Sequence, residues 1–176
     1  MGKSARSRAG LALAVVAVFL LPALAGCGSG GGSGLDADSL PRTVRAHVVR
    51  VVDGDTALVR LRGESEYVRY IGIDTPESVK PNTPVQCFAH AASAANRRLV
   101  DGQQVRMRYD AEQRDRYGRL LAYVYRQRDG AFVNAELVRE GYARTLTIPP
   151  NVHFAQRFSA LARSARDGRR GLWRAC

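Results

Sequence analysis

The chain is expected to fold as an α+β protein, a five-stranded OB-type β-barrel carrying three α-helices. Three observations lead there. Five short runs alternate apolar and polar side chains, the period of two that a half-buried strand requires. An Ala-rich stretch with helical spacing falls between the third run and the fourth. Two further helical patterns follow the fifth run. Five short strands with a helix between the third and fourth outline an OB-type barrel. No internal repeat is evident.

The domain begins near Leu40. In residues 43–52, Val44, Ala46 and Val48 stand against Arg45, His47 and Val49 in a β-branched run, the first strand. Asp53-Gly54-Asp55 turns into residues 56–62, where Ala57, Val59 and Leu61 alternate with Leu58, Arg60 and Arg62. An Asp-Gly between two such runs is a strong hairpin signal. Gly63-Glu64-Ser65 turns again into a third strand, expected to continue through Arg69, Ile71 and Ile73 and to end at Asp74. Pro76 cannot donate to a ladder and biases Thr75 away from helix, so the strand stops there. The three strands form an antiparallel meander. Strict alternation puts Arg69 on the opposite side of the pleat from Asp74.

Residues 78–85, with Pro81 and Pro84, read as a mobile loop. Residues 86–100 read as an amphipathic helix, with Phe88, Ala92, Ala95 and Leu99 as its stripe and Asp101-Gly102 closing it. Val105, Met107 and Tyr109 alternate with Arg106 and Arg108 in the fourth strand. A charged connection, 111–118, leads to the fifth strand at 120–126, which turns at Asp129-Gly130. Residues 133–140 form a short helix capped at Gly141. After a linking segment interrupted by Pro149-Pro150, Asn151 reads as the N-cap of a last helix with Phe154, Phe158, Leu161 and Ala165 as its stripe. Gly171-Leu172-Trp173 docks the tail.

The 176 residues suffice for one domain of ordinary size plus extra segments. There are 27 Lys+Arg against 16 Asp+Glu, a net charge of +11, and only Lys3 and Lys80 are lysines. A pI near 10.4 favours polyanionic partners: nucleic acid, anionic lipid or acidic polysaccharide. An arginine-inflated solvated surface explains the bulk number equally well, so the placement of particular arginines has to decide.

Residues 1–26 read as an export signal. Lys3, Arg6 and Arg8 are its positive start, and Leu11 to Leu24 is an apolar run too short for a comfortable membrane span. Leu24-Ala25-Gly26-Cys27 resembles the bacterial lipobox, which implies cleavage before Cys27 and acylation of its thiol. Residues 27–39 then form a lipidated Cys and a Gly/Ser-rich tether of flexible coil. Loss of Lys3, Arg6 and Arg8 leaves +8, so the domain at 40–176 is still basic. The chain is thus expected to be exported and lipid-anchored on the extracytoplasmic side of the cell membrane, as a monomer. Cys87 and Cys176 are left as a disulfide or as two buried thiols; an oxidising compartment favours the bridge. No CxxC occurs and the three His are scattered, so neither a cysteine zinc site nor His-based catalysis is expected.

The chemistry gathers around Arg69-Tyr70-Ile71-Gly72-Ile73-Asp74-Thr75-Pro76-Glu77. Carboxylates at a strand end suit a hard cation, which takes oxygen ligands. A nearby Arg suits a phosphate. A metal, a phosphate and a spare carboxylate are the parts of phosphodiester hydrolysis. Asp53-Gly54-Asp55-Thr56 and Asp115-Arg116-Tyr117-Gly118-Arg119 complete the set. Each piece alone is a common turn. All of them, in this order and on strand ends, resemble the staphylococcal nuclease (thermonuclease) family over roughly residues 43–174.

That resemblance implies a Ca²⁺ site made by Asp55, Asp74 and the Thr75 carbonyl. It implies Glu77 as the carboxylate acting on the attacking water, and Arg69 and Arg119 holding the scissile phosphate. Arg116 and Tyr117 stand where the family binds an adjacent phosphate. Asp53 is expected to set the turn or orient the metal shell from outside. The implied substrates are single- and double-stranded DNA and RNA, cut with little sequence preference because the contacts are to phosphate, with phosphate left on the 3′ side. The alternative is a non-catalytic surface module that binds nucleic acid. The chain departs from the best known members between Gly141 and Pro150, where their base-pocket tyrosines are replaced near Thr147 and Pro149, and in the loop at 78–85, which carries a single Lys.

Overall fold

A computed structural model of the chain describes residues 42–78, 82 and 84–176. The expected signal, Cys27, the tether and four positions of the 78–85 loop, Lys80 among them, lie outside the described residues. The elements are β1 (Thr43–Val51), β2 (Thr56–Leu61), β3 (Glu64–Tyr70), β4 (Ile73–Asp74), α1 (Ala89–Val100) and β5 (Gln104–Arg108). They continue with β6 (Leu120–Arg126), α2 (Val133–Arg139), β7 (Arg144–Thr145), α3 (Ala155–Asp167) and the single turn α4 (Leu172–Ala175). Among the described residues no helix is long and apolar enough to cross a membrane.

The five long strands close a barrel in the order β1-β2-β3-β6-β5. β1 closes it by serving two neighbours. Thr43 to His47 pair with β5, and His47 to Val51 pair with β2, with the register shifting between Val48 and Arg50. A bulge of this kind bends a strand enough to turn a barrel corner. β3 and β6 pair in parallel, Arg69 opposite Leu121. Inside lie Val44, Ala46, Val48, Val59, Leu61, Val68, Tyr70, Met107 and Val124, all buried, the inward set that strand alternation produces.

The third strand does not run to Asp74. It ends at Tyr70, the chain breaks at Ile71-Gly72, and β4 resumes as a separate two-residue strand paired with β7. Gly72 adopts φ +81° under the ring of Phe158, and a Cβ there would lie 2.4 Å from Phe158 Cε2. The break reverses the side expected for Arg69, which now shares a side with Asp74. β7 falls in the stretch read as a plain link.

Two helix starts also differ from expectation. α1 begins at Ala89, not Gln86, because Phe88 sits in the left-handed region at φ +70° and Cys87 is bonded to Cys176. α3 begins at Ala155, and Asn151 does not cap it. The Asn151 side-chain amide instead clamps the Glu112 backbone, its Oδ1 accepting from the Glu112 N–H and its Nδ2 donating to the carbonyl. The tail docks by Leu172, whose N–H donates to the Gly141 carbonyl.

Candidate active site

The hairpin between β1 and β2 is built first. The Asp53 carboxylate accepts the Asp55 N–H at 3.0 Å, so it sets the turn. The buried Asn96 of α1 donates to the Asp53 carbonyl and accepts the Tyr70 hydroxyl, bracing the hairpin from behind. Gly54 lets the hairpin lie against Thr75, where any Cβ would come within 2.5 Å of Thr75 Oγ1. Thr75 in turn donates to Asp55 Oδ2 from its N–H at 2.7 Å and from its hydroxyl at 3.0 Å. Asp55, Thr75 and Asp74 are thereby gathered from the turn into β2 and the end of β4.

Arg69 joins them. Its Nε lies 3.1 Å from Asp55 Oδ1 and its Nη2 2.9 Å from Asp74 Oδ1. Its Nη1 donates to the carbonyls of Tyr70 and Ile73, both at 2.8 Å. The break at Gly72 is what turns those two carbonyls toward one guanidinium. Burial, with the neighbouring Asp55 charge, pushes the Asp53 carboxyl up to about 6 and raises Asp74. Two carboxylates, Asp55 and Asp74, thus meet on one arginine, with Asp53 setting the turn behind them.

That crowding suits a cation. The donors are all oxygen, the set calcium takes. Among the described residues no three His, Cys, Asp or Glu converge as a metal cluster. The donor set that fits is two carboxylates and the Thr75 carbonyl. Glu77 lies close enough to raise Asp74 by its charge. Its backbone is held on both sides by Gln86, which accepts the Glu77 N–H on its side chain and donates its own N–H to the Glu77 carbonyl.

The other arginines stand on the connection before β6. Asp115 Oδ1 accepts the N–H groups of Tyr117 and Arg119, and Oδ2 accepts Arg119 Nε at 2.7 Å and lies 2.7 Å from Nη2. One carboxylate therefore shapes the turn and grips the guanidinium. Tyr117 is exposed, with Arg116 4.8 Å and Arg119 5.5 Å from its ring centre, and Arg116 donates to its hydroxyl. Arg114 pins the connection to β3 through both oxygens of Glu66.

Arg69, Arg116, Tyr117 and Arg119 line one cleft of about 450 Å³. Asp74 and Thr75 line an adjoining cavity of about 260 Å³ with Arg144 and the disulfide cysteines. Arg69 bridges the two. From the stretch after Gly141, the residues facing the cleft are Leu146 and Ile148 rather than Thr147 and Pro149. Sequence reasoning missed the structural amides Asn96 and Asn151 and the grip of Asp115 on Arg119. Only Asp115 left a trace, as an Asx-turn residue four positions before an arginine.

Comparison with known proteins agrees with this fold. The model of the family described as "Staphylococcal nuclease homologue" matches residues 67–175. A thermonuclease of Staphylococcus hyicus is 41% identical over 126 residues, covering 72% of this chain and 73% of that protein. A thermonuclease of Staphylococcus intermedius is 44% identical over 126 residues, covering 72% and 74%. Endonuclease YncB of Bacillus subtilis is 37% identical over 134 residues, covering 75% and 63%.

Proposed function

The chain belongs to the staphylococcal nuclease family, and from that premise we propose that it is a Ca²⁺-dependent endonuclease acting on DNA and RNA with little sequence preference. One observation carries the reading: a single guanidinium, Arg69, ties Asp55 and Asp74 together at 3.1 and 2.9 Å on the edge of a cleft that also holds Arg119 and Tyr117.

Asp55, Asp74 and the Thr75 carbonyl would hold the ion. Bound there, Ca²⁺ would oppose the negative charge that builds on the phosphoryl oxygens. Arg69 and Arg119 would bind the scissile phosphate and stabilise the same charge. Arg116 and Tyr117 would bind the next phosphate. Glu77 would take a proton from the attacking water. Water oxygen bonds to phosphorus, the bond to the 5′ oxygen breaks, and that oxygen takes a proton from solvent, leaving phosphate on the 3′ side. Leu146 and Ile148 would give the base an aliphatic wall where aromatic stacking contributes about 1–3 kcal/mol per base.

Residues 40–176 would act outside the cytoplasmic membrane, exported by residues 1–26 and anchored through acylated Cys27, as a monomer. The test is hydrolysis of single-stranded DNA by the full chain with Ca²⁺, with Mg²⁺ and with a chelator, beside Glu77→Gln. The expected result is Ca²⁺-dependent cleavage that drops about 10²–10⁴-fold in the variant while DNA binding persists. Binding without cleavage in every metal would overturn it in favour of a non-catalytic surface module.

A further inference from the structure

We propose that the arginine-covered outer face of β5 and β6 is a second nucleic-acid surface, gripping the phosphate backbone of a strand beyond the cleft. Arg106 and Arg108 are two apart on β5 and so project to the same side. Arg106 lies 4.7 Å over the ring of Tyr125, its partner on β6. The Tyr125 ring stacks on Phe132 at 4.5 Å, and Arg157 of α3 lies 5.2 Å over Phe132. The result is a ladder of cation, ring, ring and cation. Arg108 continues it, 5.7 Å over Phe154 and 3.3 Å from His153 Nε2.

Charge is left over on this face. Six arginines of the described residues pair with carboxylates, and Arg106, Arg108 and Arg157 are not among them. Arg45 stands directly across from Arg106 on β1, a like-charge pair that costs stability in a sheet. The charges acting on the Tyr125 hydroxyl are those of Arg108, Arg106 and Arg157; one carboxylate, Asp110, stands at the end of the face, where it accepts from the Tyr123 hydroxyl and the His153 N–H. A polyanion relieves that repulsion.

The geometry favours a phosphate backbone. A guanidinium held over a ring by its cationic carbon still has N–H groups to offer a phosphate. Phe132 is buried, and Tyr125 and Phe154 are half-buried with an arginine over each ring, so the face presents guanidinium groups ahead of ring faces. The face also continues the cleft. Asn151 lines the cleft, and His153, two residues on, meets Arg108 at 3.3 Å. That the bound strand is also the one cleaved rests on the nuclease reading; the binding does not.

The test uses the full chain and a dT oligomer of about 20 nucleotides, longer than an OB-fold footprint. Binding is measured with chelator present across a salt series. In Arg106→Gln/Arg157→Gln, affinity should fall at least about tenfold, and the slope of log K against log salt should flatten by about 0.7 per arginine. Arg106→Lys/Arg157→Lys should restore the slope. Cleavage of a dinucleotide should be unchanged while cleavage of the oligomer weakens through KM. An unchanged slope overturns the proposal. So does an equal loss on the dinucleotide, or, with anionic phosphatidylglycerol vesicles run beside the oligomer, a loss of binding confined to the vesicles. If no variant and not even the wild type cleaves the dinucleotide, the nuclease reading falls, and the salt slope still decides the surface.

Discussion

Asp115 shows how one side chain can matter to a site without touching a substrate. It receives two backbone N–H groups of its own turn and two donors of Arg119, so Arg119 is aimed before any phosphate arrives. Asp115→Asn puts an amide where the guanidinium expects an acceptor. We expect kcat to fall about ten- to a hundredfold, the scale of one misplaced transition-state donor, with little change in thermal midpoint. An unchanged kcat would mean that the grip of Asp115 does not aim Arg119 for the chemistry. Tyr109 is the opposite case, a buried ring whose hydroxyl has no hydrogen-bond partner. Tyr109→Phe should therefore gain about 1 kcal/mol in denaturant unfolding. Burial also pushes this phenol up to about 12. The unfolded chain, titrating near the ordinary value of 10, then binds fewer protons than the folded one between those two values. Stability falls as pH rises from 10 toward 12. The Phe variant should lose less of it over that window, while Tyr70 and Tyr123, raised by the same cause, keep part of the slope.

Elements were legible where their signal is local. β6 occupies the expected 120–126 because the alternation lies within it and the Asp129-Gly130 turn follows directly after it. The break between β3 and β4 was not legible, because Ile71 and Ile73 continue the alternation straight through it. What breaks the strand is Phe158, far along the chain, which only a Gly can sit beneath. Asn151 misled for the same reason. It looks like a cap beside an apolar run, and its amide is taken by a distant backbone. Gly72→Ala should cost roughly 2–4 kcal/mol, from a left-handed Ala and an overpacked ring together. Gly63→Ala is the control, since Gly63 also has positive φ but open space around its Cβ position; about 1 kcal/mol is expected there. Equal costs would show that Phe158 is not the cause. The Cys87–Cys176 bridge, with Cα atoms 6.0 Å apart, closes a long loop and seats the residue next to Gln86, which holds Glu77. Cys87→Ser/Cys176→Ser should lose about 2–4 kcal/mol and show faster amide exchange at Glu77. Unchanged exchange would mean that the bridge only staples the tail.

At the scale of the whole molecule, the barrel's closure was the least legible feature. Composition and turns indicate five strands, but the pairing of β1 with β5 and the parallel pairing of β3 with β6 join distant segments. The structure brings Asp55, Arg69, Asp74 and Thr75 together, as their motifs led one to expect. Asp55, Arg69, Asp74, Thr75, Glu77 and Arg119 sit in short motifs whose residue types already name the chemistry, whereas the buried amides that brace them look like any other polar residue. Residues 1–27 carry a separate argument, from residue order alone: a positive start, an apolar run and Leu24-Ala25-Gly26-Cys27. If Cys27 is the anchor, place and chemistry are separable in this chain. The full chain expressed in a bacterial host should sediment with membranes and leave them only with detergent. Cys27→Ser should move it to the soluble fraction, since a single remaining apolar signal of this length holds a chain poorly in a bilayer. Its DNA hydrolysis should be unchanged, because Cys27 lies outside the domain that carries the cleft. Membrane sedimentation that persists in Cys27→Ser would mean that the apolar run is retained as the anchor and the thiol is not acylated.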